Sequence, residues 1–385
     1  MPHYRSVGDV PPKRHTIFRQ PDGSLYTEEL MGEEGFAFDS ALLYHKTRPT
    51  ALVSIESLSS EHEALHRNTP LLPRHLRSHK LGVTSDLVAG RHLLMGNDDC
   101  RISYAHVSTS SDLYKNAIGD ELVFIEEGDG YLDSTFGRLA FKTGDYVVIP
   151  ASTIHRWVIT SETVRALILE TTGHVTPPRR YLSRAGQFLE HAPFCERDIH
   201  GPSEPLLEDG EEVPVLVKHR GGLSRFVFEN HPFDVVGWDG CLYPHTLSVY
   251  DFEPITGRIH QPPPVHQTFE APNVVICSFV PRLYDYHPDA IAVPYHHANV
   301  DSDEVLFYMD GDFMSRKGSG IAQGSLSLHP AGHTHGPQPG SVEAGLGKAG
   351  TEEIAVMIDT FRPLDIGTSG FDCEDPAYLT TWRTK

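Results

Sequence analysis

The sequence predicts an all-β protein built from two copies of one strand-and-turn unit, on two observations. First, short runs rich in Val, Ile, Leu, Phe and Tyr recur between turns marked by 29 prolines and 33 glycines, the pattern of a sandwich or barrel. Second, a segment repeats. Asp120-Glu121-Leu122-Val123-Phe124-Ile125-Glu126-Glu127-Gly128-Asp129 is matched by Asp303-Glu304-Val305-Leu306-Phe307-Tyr308-Met309-Asp310-Gly311-Asp312. Each is an alternating apolar run opened by a glutamate and closed at a Gly-Asp turn. Each has a downstream partner ending in histidine, Gly144 to His155 and Gly324 to His335. A repeated segment with shared punctuation means a repeated structural unit.

The elements follow from local pattern. Strands are expected at Glu121–Glu126, Tyr146–Pro150, Arg165–Glu170, Val274–Val280, Val305–Met309 and Ala355–Ile358. Helical periodicity is weak, with a turn or two expected at Glu61–His66 and Pro178–Ala185. The acid-, Gly- and Pro-rich stretch Arg197–Val215 reads as a linker. It divides a first unit, residues 1–235 with the linker, from a second, residues 236–385. Gly345–Glu353 reads as an exposed loop. Tyr378 and Trp382 anchor the tail Pro376–Lys385 against something apolar.

Composition limits the function. At 385 residues, 39% hydrophobic and 22% charged, the chain is long enough for two ordinary cores. Its net charge of −20 argues against phosphate-mediated binding of nucleic acid and against an anionic membrane surface. Five scattered cysteines with no C-x-x-C suit a reducing compartment. The start, Met1-Pro2-His3-Tyr4-Arg5-Ser6, lacks the apolar core of a signal peptide, and no stretch reaches the ~18 apolar residues of a membrane span. A cytoplasmic location is expected.

The repeat resembles the paired motifs of the cupins, G-x5-H-x-H-x(3,4)-E-x6-G and G-x5-P-x-G-x2-H. In the second copy Glu304-x6-Gly311 and Gly324-x5-Pro330-x-Gly332-x2-His335 fit without a gap, and His297-x-Asn299 precedes the glutamate. In the first, Glu121-x6-Gly128 fits, and Gly144-x5-Pro150-x-Ser152-x2-His155 fits with Ser for Gly, but the two upstream histidines are Tyr114 and Asn116. The resemblance implies a bicupin: two jelly-roll β-barrels with few short helices, one of them degenerate. It also implies His297, Glu304 and His335 as metal ligands. Two histidines and one carboxylate form the facial triad of non-haem Fe(II) sites, although Mn, Zn and Ni accept the same donors. His296 points to the opposite face of its strand from His297. His329 and His333 lie near the mouth or behind the ligands.

A closer resemblance is to homogentisate 1,2-dioxygenases. It rests on Tyr295-His296-His297-Ala298-Asn299 before Glu304, on Ser327-Leu328-His329 with Thr334-His335-Gly336-Pro337, and on Gly237-Trp238-Asp239-Gly240. Phe279-Val280-Pro281-Arg282 and the N-terminal Leu25-Tyr26-Thr27-Glu28-Glu29-Leu30 agree with it. This resemblance implies Fe(II), dioxygen and a small aromatic acid, with homogentisate opened to maleylacetoacetate in tyrosine and phenylalanine catabolism. It implies His260 as the base, with His266 as competitor; histidine suits the role because its pKa lies near working pH. It implies substrate contacts from His335, Phe313, His329 and Arg282, the last as carboxylate partner or structural ion pair. A homo-oligomer is expected, the first barrel serving as scaffold and interface. Two departures stand out. Phe313 occupies the place of a family tyrosine, and the His297–Glu304 spacing is longer by one. A gentisate-type dioxygenase, or a metal-binding bicupin without redox chemistry, are the alternatives.

Overall fold

The computed structural model describes residues 3–59 and 63–383. Strands dominate it, with two α-helices of five residues each among the described residues. All six expected strands form, at Glu121–Glu127, Asp145–Ile149, Val164–Thr171, Val274–Phe279, Asp303–Asp310 and Ile354–Thr360. The helical expectations fare less well. Arg179–Tyr181 is one 3-10 turn; Leu65–His66 is a short strand, and Glu61 and His62 lie outside the described residues. The stretch read as linker ends in a strand, Glu211–His219, whose Val215 and Val217 are buried. Flanking acids hid that alternation. Within the expected loop, Gly350–Thr351 pairs with Arg282–Leu283.

The protein is a bicupin. In the first barrel, strands of a nine-stranded sheet, including Glu121–Glu127, Val164–Thr171 and Cys100–Val107, enclose a core against a seven-stranded sheet. Val123, Ile125, Leu132, Trp157 and Ile168 fill that core. The second barrel rests on a six-stranded sheet that runs Gln267–Ala271, Val274–Phe279, Ile354–Thr360, Asp303–Asp310, Ser325–His329 and Arg74–Leu76. The halves exchange strands: Arg74–Leu76 completes the second sheet beside Ser325–His329, and His245–Ser248 pairs with Asp145–Ile149 of the first.

The two-residue period of the strands decides what each barrel does. Val305, Phe307 and Met309 face a shared core that also takes Leu122 and Phe124 from the first barrel. Glu304 and Tyr308, on the other face of the same strand, line the second barrel. Ser325, Ser327 and His329 alternate likewise with Leu326 and Leu328. The apolar face joins the barrels, and the polar face is left for chemistry.

Candidate metal centre

Asp303 and Asp120, the residues before the two motif glutamates, build the frame. Asp303 accepts backbone N–H bonds from Ala331 and Leu364, each 2.8 Å. Asp120 accepts the equivalent pair from Ala151 and Val175 at 2.8 and 2.9 Å. Each aspartate ties the turn before a motif histidine to the segment that follows the neighbouring strand, Val164–Thr171 or Ile354–Thr360.

In the second barrel His297, Glu304 and His335 converge, with one donor atom of each within 4.8 Å of the others. His297 and His335 form an isolated antiparallel bridge. Nδ1 of His297 donates to the Tyr295 carbonyl (3.1 Å) and Nδ1 of His335 to that of His333 (3.0 Å). A carbonyl only accepts, so the neutral rings carry their lone pairs on Nε2. Those Nε2 atoms lie 3.5 and 3.1 Å from the oxygens of Glu304. Lone pairs against a carboxylate repel unless a cation or proton lies between them. The residues fit a divalent metal, and the donor set suits iron.

Glu304 is buried, which alone would raise its pKa, but the three imidazoles around it, those of His297, His329 and His335, hold its carboxyl well below the usual range. His329, wholly buried, uses both nitrogens: Nδ1–H donates to Glu304 (2.9 Å), and Nε2 accepts from the Tyr378 hydroxyl (2.9 Å). Its ring stacks on His335 at 3.9 Å. Burial pushes His329 down to about 3, so it stays neutral and orients the carboxylate. The tail closes this wall, with Trp382 donating to the Gly336 carbonyl at 3.0 Å.

His297 is the open side of the cluster, its side chain 32% exposed against 1% for His335. Tyr295 packs edge-on against His297, and His260 packs against Tyr295 in turn. His260 is exposed, its Nε2 3.5 Å from the Tyr295 hydroxyl and its Nδ1 3.7 Å from Asp285. His266 is buried against Phe279, and burial pushes it down to about 3. Arg282 lies over Tyr284, with Nη1 buried and unpartnered. Phe313 is buried edge-on against Tyr308 and holds a left-handed backbone, φ 38°. His296 is exposed and His333 half-buried.

Two neighbours were not anticipated. Asp359 sits opposite Glu304 in the sheet; burial and Glu304's charge push it up to about 8. Arg316 is a buried guanidinium in the same interior. The pairing of strands would have flagged Asp359; no local pattern marks Arg316.

The first barrel repeats the frame without the chemistry. Tyr114 pairs with His155 as His297 pairs with His335. Arg91 enters the space, donating to both oxygens of Glu121 at 3.1 and 2.7 Å. Tyr114 and Asn116 each donate to Glu121 at 3.0 Å. An internal guanidinium supplies the cation there.

Fold and cluster together define a metal-binding bicupin. The model for the homogentisate 1,2-dioxygenase N-terminal family matches residues 19–251, more than half of the chain. The chain belongs to the homogentisate 1,2-dioxygenase family, and dioxygenase is its class. A candidate dioxygenase of Saccharolobus solfataricus is 37% identical over the full length of both chains. The homogentisate 1,2-dioxygenase of Emericella nidulans is 25% identical over 67% of this chain and 60% of its own, so the match spans less than two thirds of that relative. Among solved structures, a cupin 2 conserved barrel domain protein from Leptotrichia buccalis covers 78% of this chain and 100% of its own, at 10% identity and TM-score 0.36.

Proposed function

We propose that this dioxygenase is Fe(II)-dependent and cleaves the ring of homogentisate to give maleylacetoacetate. One observation carries the reading: two Nε2 lone pairs converge on the buried carboxylate of Glu304. His297, Glu304 and His335 would hold the iron, which when bound supplies Lewis acidity and electron exchange with dioxygen. His329 and Tyr378 keep Glu304 oriented. His260, on the open side, takes the proton of the phenol, whose own pKa near 10 keeps it mostly neutral at working pH. Phe313 offers a ring face to the substrate. Arg282 is the remaining expected contact; His329, buried with both nitrogens engaged, is not one.

A second reading, a gentisate-type enzyme, is favoured by Phe313 alone, which cannot hydrogen-bond a ring hydroxyl. One neutral hydrogen bond is worth about 0.5–1.5 kcal/mol. That weakens affinity without changing the reaction. Anaerobic reconstitution with Fe(II), followed by oxygen uptake with homogentisate and gentisate, decides. Homogentisate should give the higher kcat/KM. Higher efficiency on gentisate overturns the substrate, and no uptake with any hydroxylated aromatic acid points to a bicupin without redox chemistry.

A further inference from the structure

Among the described residues two arginines, Arg74 and Arg316, are buried outright. Arg74, 5% exposed, is neutralised by Glu374 at 2.5 Å. Arg91, nearly as buried, is neutralised by Glu121 and Glu170. Arg316, 6% exposed, has no such partner. Its Nε donates to the Tyr308 hydroxyl (3.1 Å) and its Nη1 to the Gly336 carbonyl (2.8 Å), both neutral acceptors. No carboxylate of the described residues lies within ion-pair distance of it. A buried charge is normally paired, because leaving water costs several kcal/mol.

Its place in the barrel says what would pair it. Gly336 follows His335 directly, so the guanidinium is anchored one residue from a member of the cluster. Tyr308 shares the inward face of the strand with Glu304, and its hydroxyl also meets Ser327, two residues before His329. Glu304 and Glu353 are within electrostatic reach of it, but neither pairs with it, three histidines already surround Glu304, and a divalent metal would consume that charge. Beside the guanidinium, Tyr308, Phe313 and Ala355 form an apolar wall with Phe279 and Leu306. Cation, apolar wall and cluster thus line one interior.

We propose that Arg316 is the anion-recognition residue of the metal barrel and takes the carboxylate of an aromatic acid whose ring lies against the Tyr308–Phe313 wall. This rests on the ring-cleavage reading for the identity of the substrate, but not for the existence of the anion site. A guanidinium presents a fork that matches a carboxylate, and such charge-assisted bonds are the strong ones. The site selects acids over neutral phenols of the same shape.

The test is binding rather than turnover. Phenylacetate and phenylacetamide, alike in shape and lacking ring hydroxyls, are titrated calorimetrically into the full Fe(II)-reconstituted chain without oxygen. The acid should bind the wild type about tenfold or more tightly than the amide, and R316Q should bind both alike. No preference in the wild type, an undiminished preference in R316Q, or an equal loss for both probes overturns the proposal. Should R316Q fail to fold or to hold iron, R316K decides: a reduced preference supports the assignment and an unchanged one overturns it. If the wild type prefers the acid yet consumes no oxygen with hydroxylated aromatic acids, the ring-cleavage reading fails and the anion site stands.

Discussion

His297 and His335 hold each other by a reciprocal pair of backbone hydrogen bonds, each N–H donating to the other's carbonyl at 2.8 Å. Thirty-eight residues of sequence separate the two, yet neither main chain moves without the other. Their rings meet at 4.4 Å with both Nε2 atoms turned to Glu304. The geometry of the cluster is therefore set by main chain before any ion arrives, the preorganisation a metal site needs.

The Arg91–Glu121 pair predicts the stoichiometry. Because a guanidinium fills the first barrel, Fe(II)-reconstituted protein should hold close to one iron per chain, and the double variant E304A/H335A almost none. Metal analysis of both proteins checks this; a value near two would assign a site to the first barrel. R91M should not create a site but should destabilise the fold by about 3–5 kcal/mol, the cost of stranding buried charge, read from denaturant unfolding.

His329 orients Glu304 without being free to ligate. H329L should keep the fold but weaken iron binding about 10–100-fold, the usual effect of losing a hydrogen bond to a ligand. Y378F, which only removes the hydroxyl donor to His329, should give a smaller loss. Competition against a chelator of known affinity measures both. Unchanged affinity in H329L would reduce the residue to packing.

His260 and His266 separate by environment, one exposed beside Tyr295 and the other buried against Phe279. H260Q should retain iron while turnover falls about 100-fold or more. H266Q should act mainly on stability. Wild-type turnover in H260Q with loss in H266Q would transfer the base to His266.

His45 makes stability depend on pH far from the metal. Burial disfavours its charge, but hydrogen bonds from its ring to Asp234 (2.6 Å) and Glu29 (2.9 Å) overcome this and raise it from 6.5 to about 9. The folded pKa exceeds the unfolded one, so the contribution is full below about pH 6.5 and lost as pH rises through about 9. Its size is on the order of 3 kcal/mol. Denaturant unfolding at pH 6 and pH 10 should show the wild type losing that much more stability than H45Q; equal losses would refute it.

Much of the frame was legible because strand period, Gly-Asp turns and the repeated Asp-Glu pair are local signals. The cluster was legible because its residues stand at fixed distances from those turns. Arg91, Arg316 and Asp359 were not. Each matters only through neighbours supplied by distant segments: Glu121 for Arg91, Gly336 for Arg316, Glu304 for Asp359. The strand Glu211–His219 was missed for another reason, since its buried valines sit among acids and a proline that mimic a linker. Local composition describes the chain's own preference, and the sheet imposed the rest.

The strand Arg74–Leu76 bears on how the molecule is made. It is the edge of the six-stranded sheet, and His75 meets Ser325 across 250 residues of sequence. At a synthesis rate of about 5–20 residues per second, roughly 12–50 seconds pass between the emergence of the two. By the end of that interval the strands of the first barrel have emerged except Asp365–Gly367, while the metal barrel still lacks Ser325–His329 and Ile354–Thr360. Birth order thus runs scaffold first and reactive chamber last, so the cluster that would take up metal is assembled on a partner already in place.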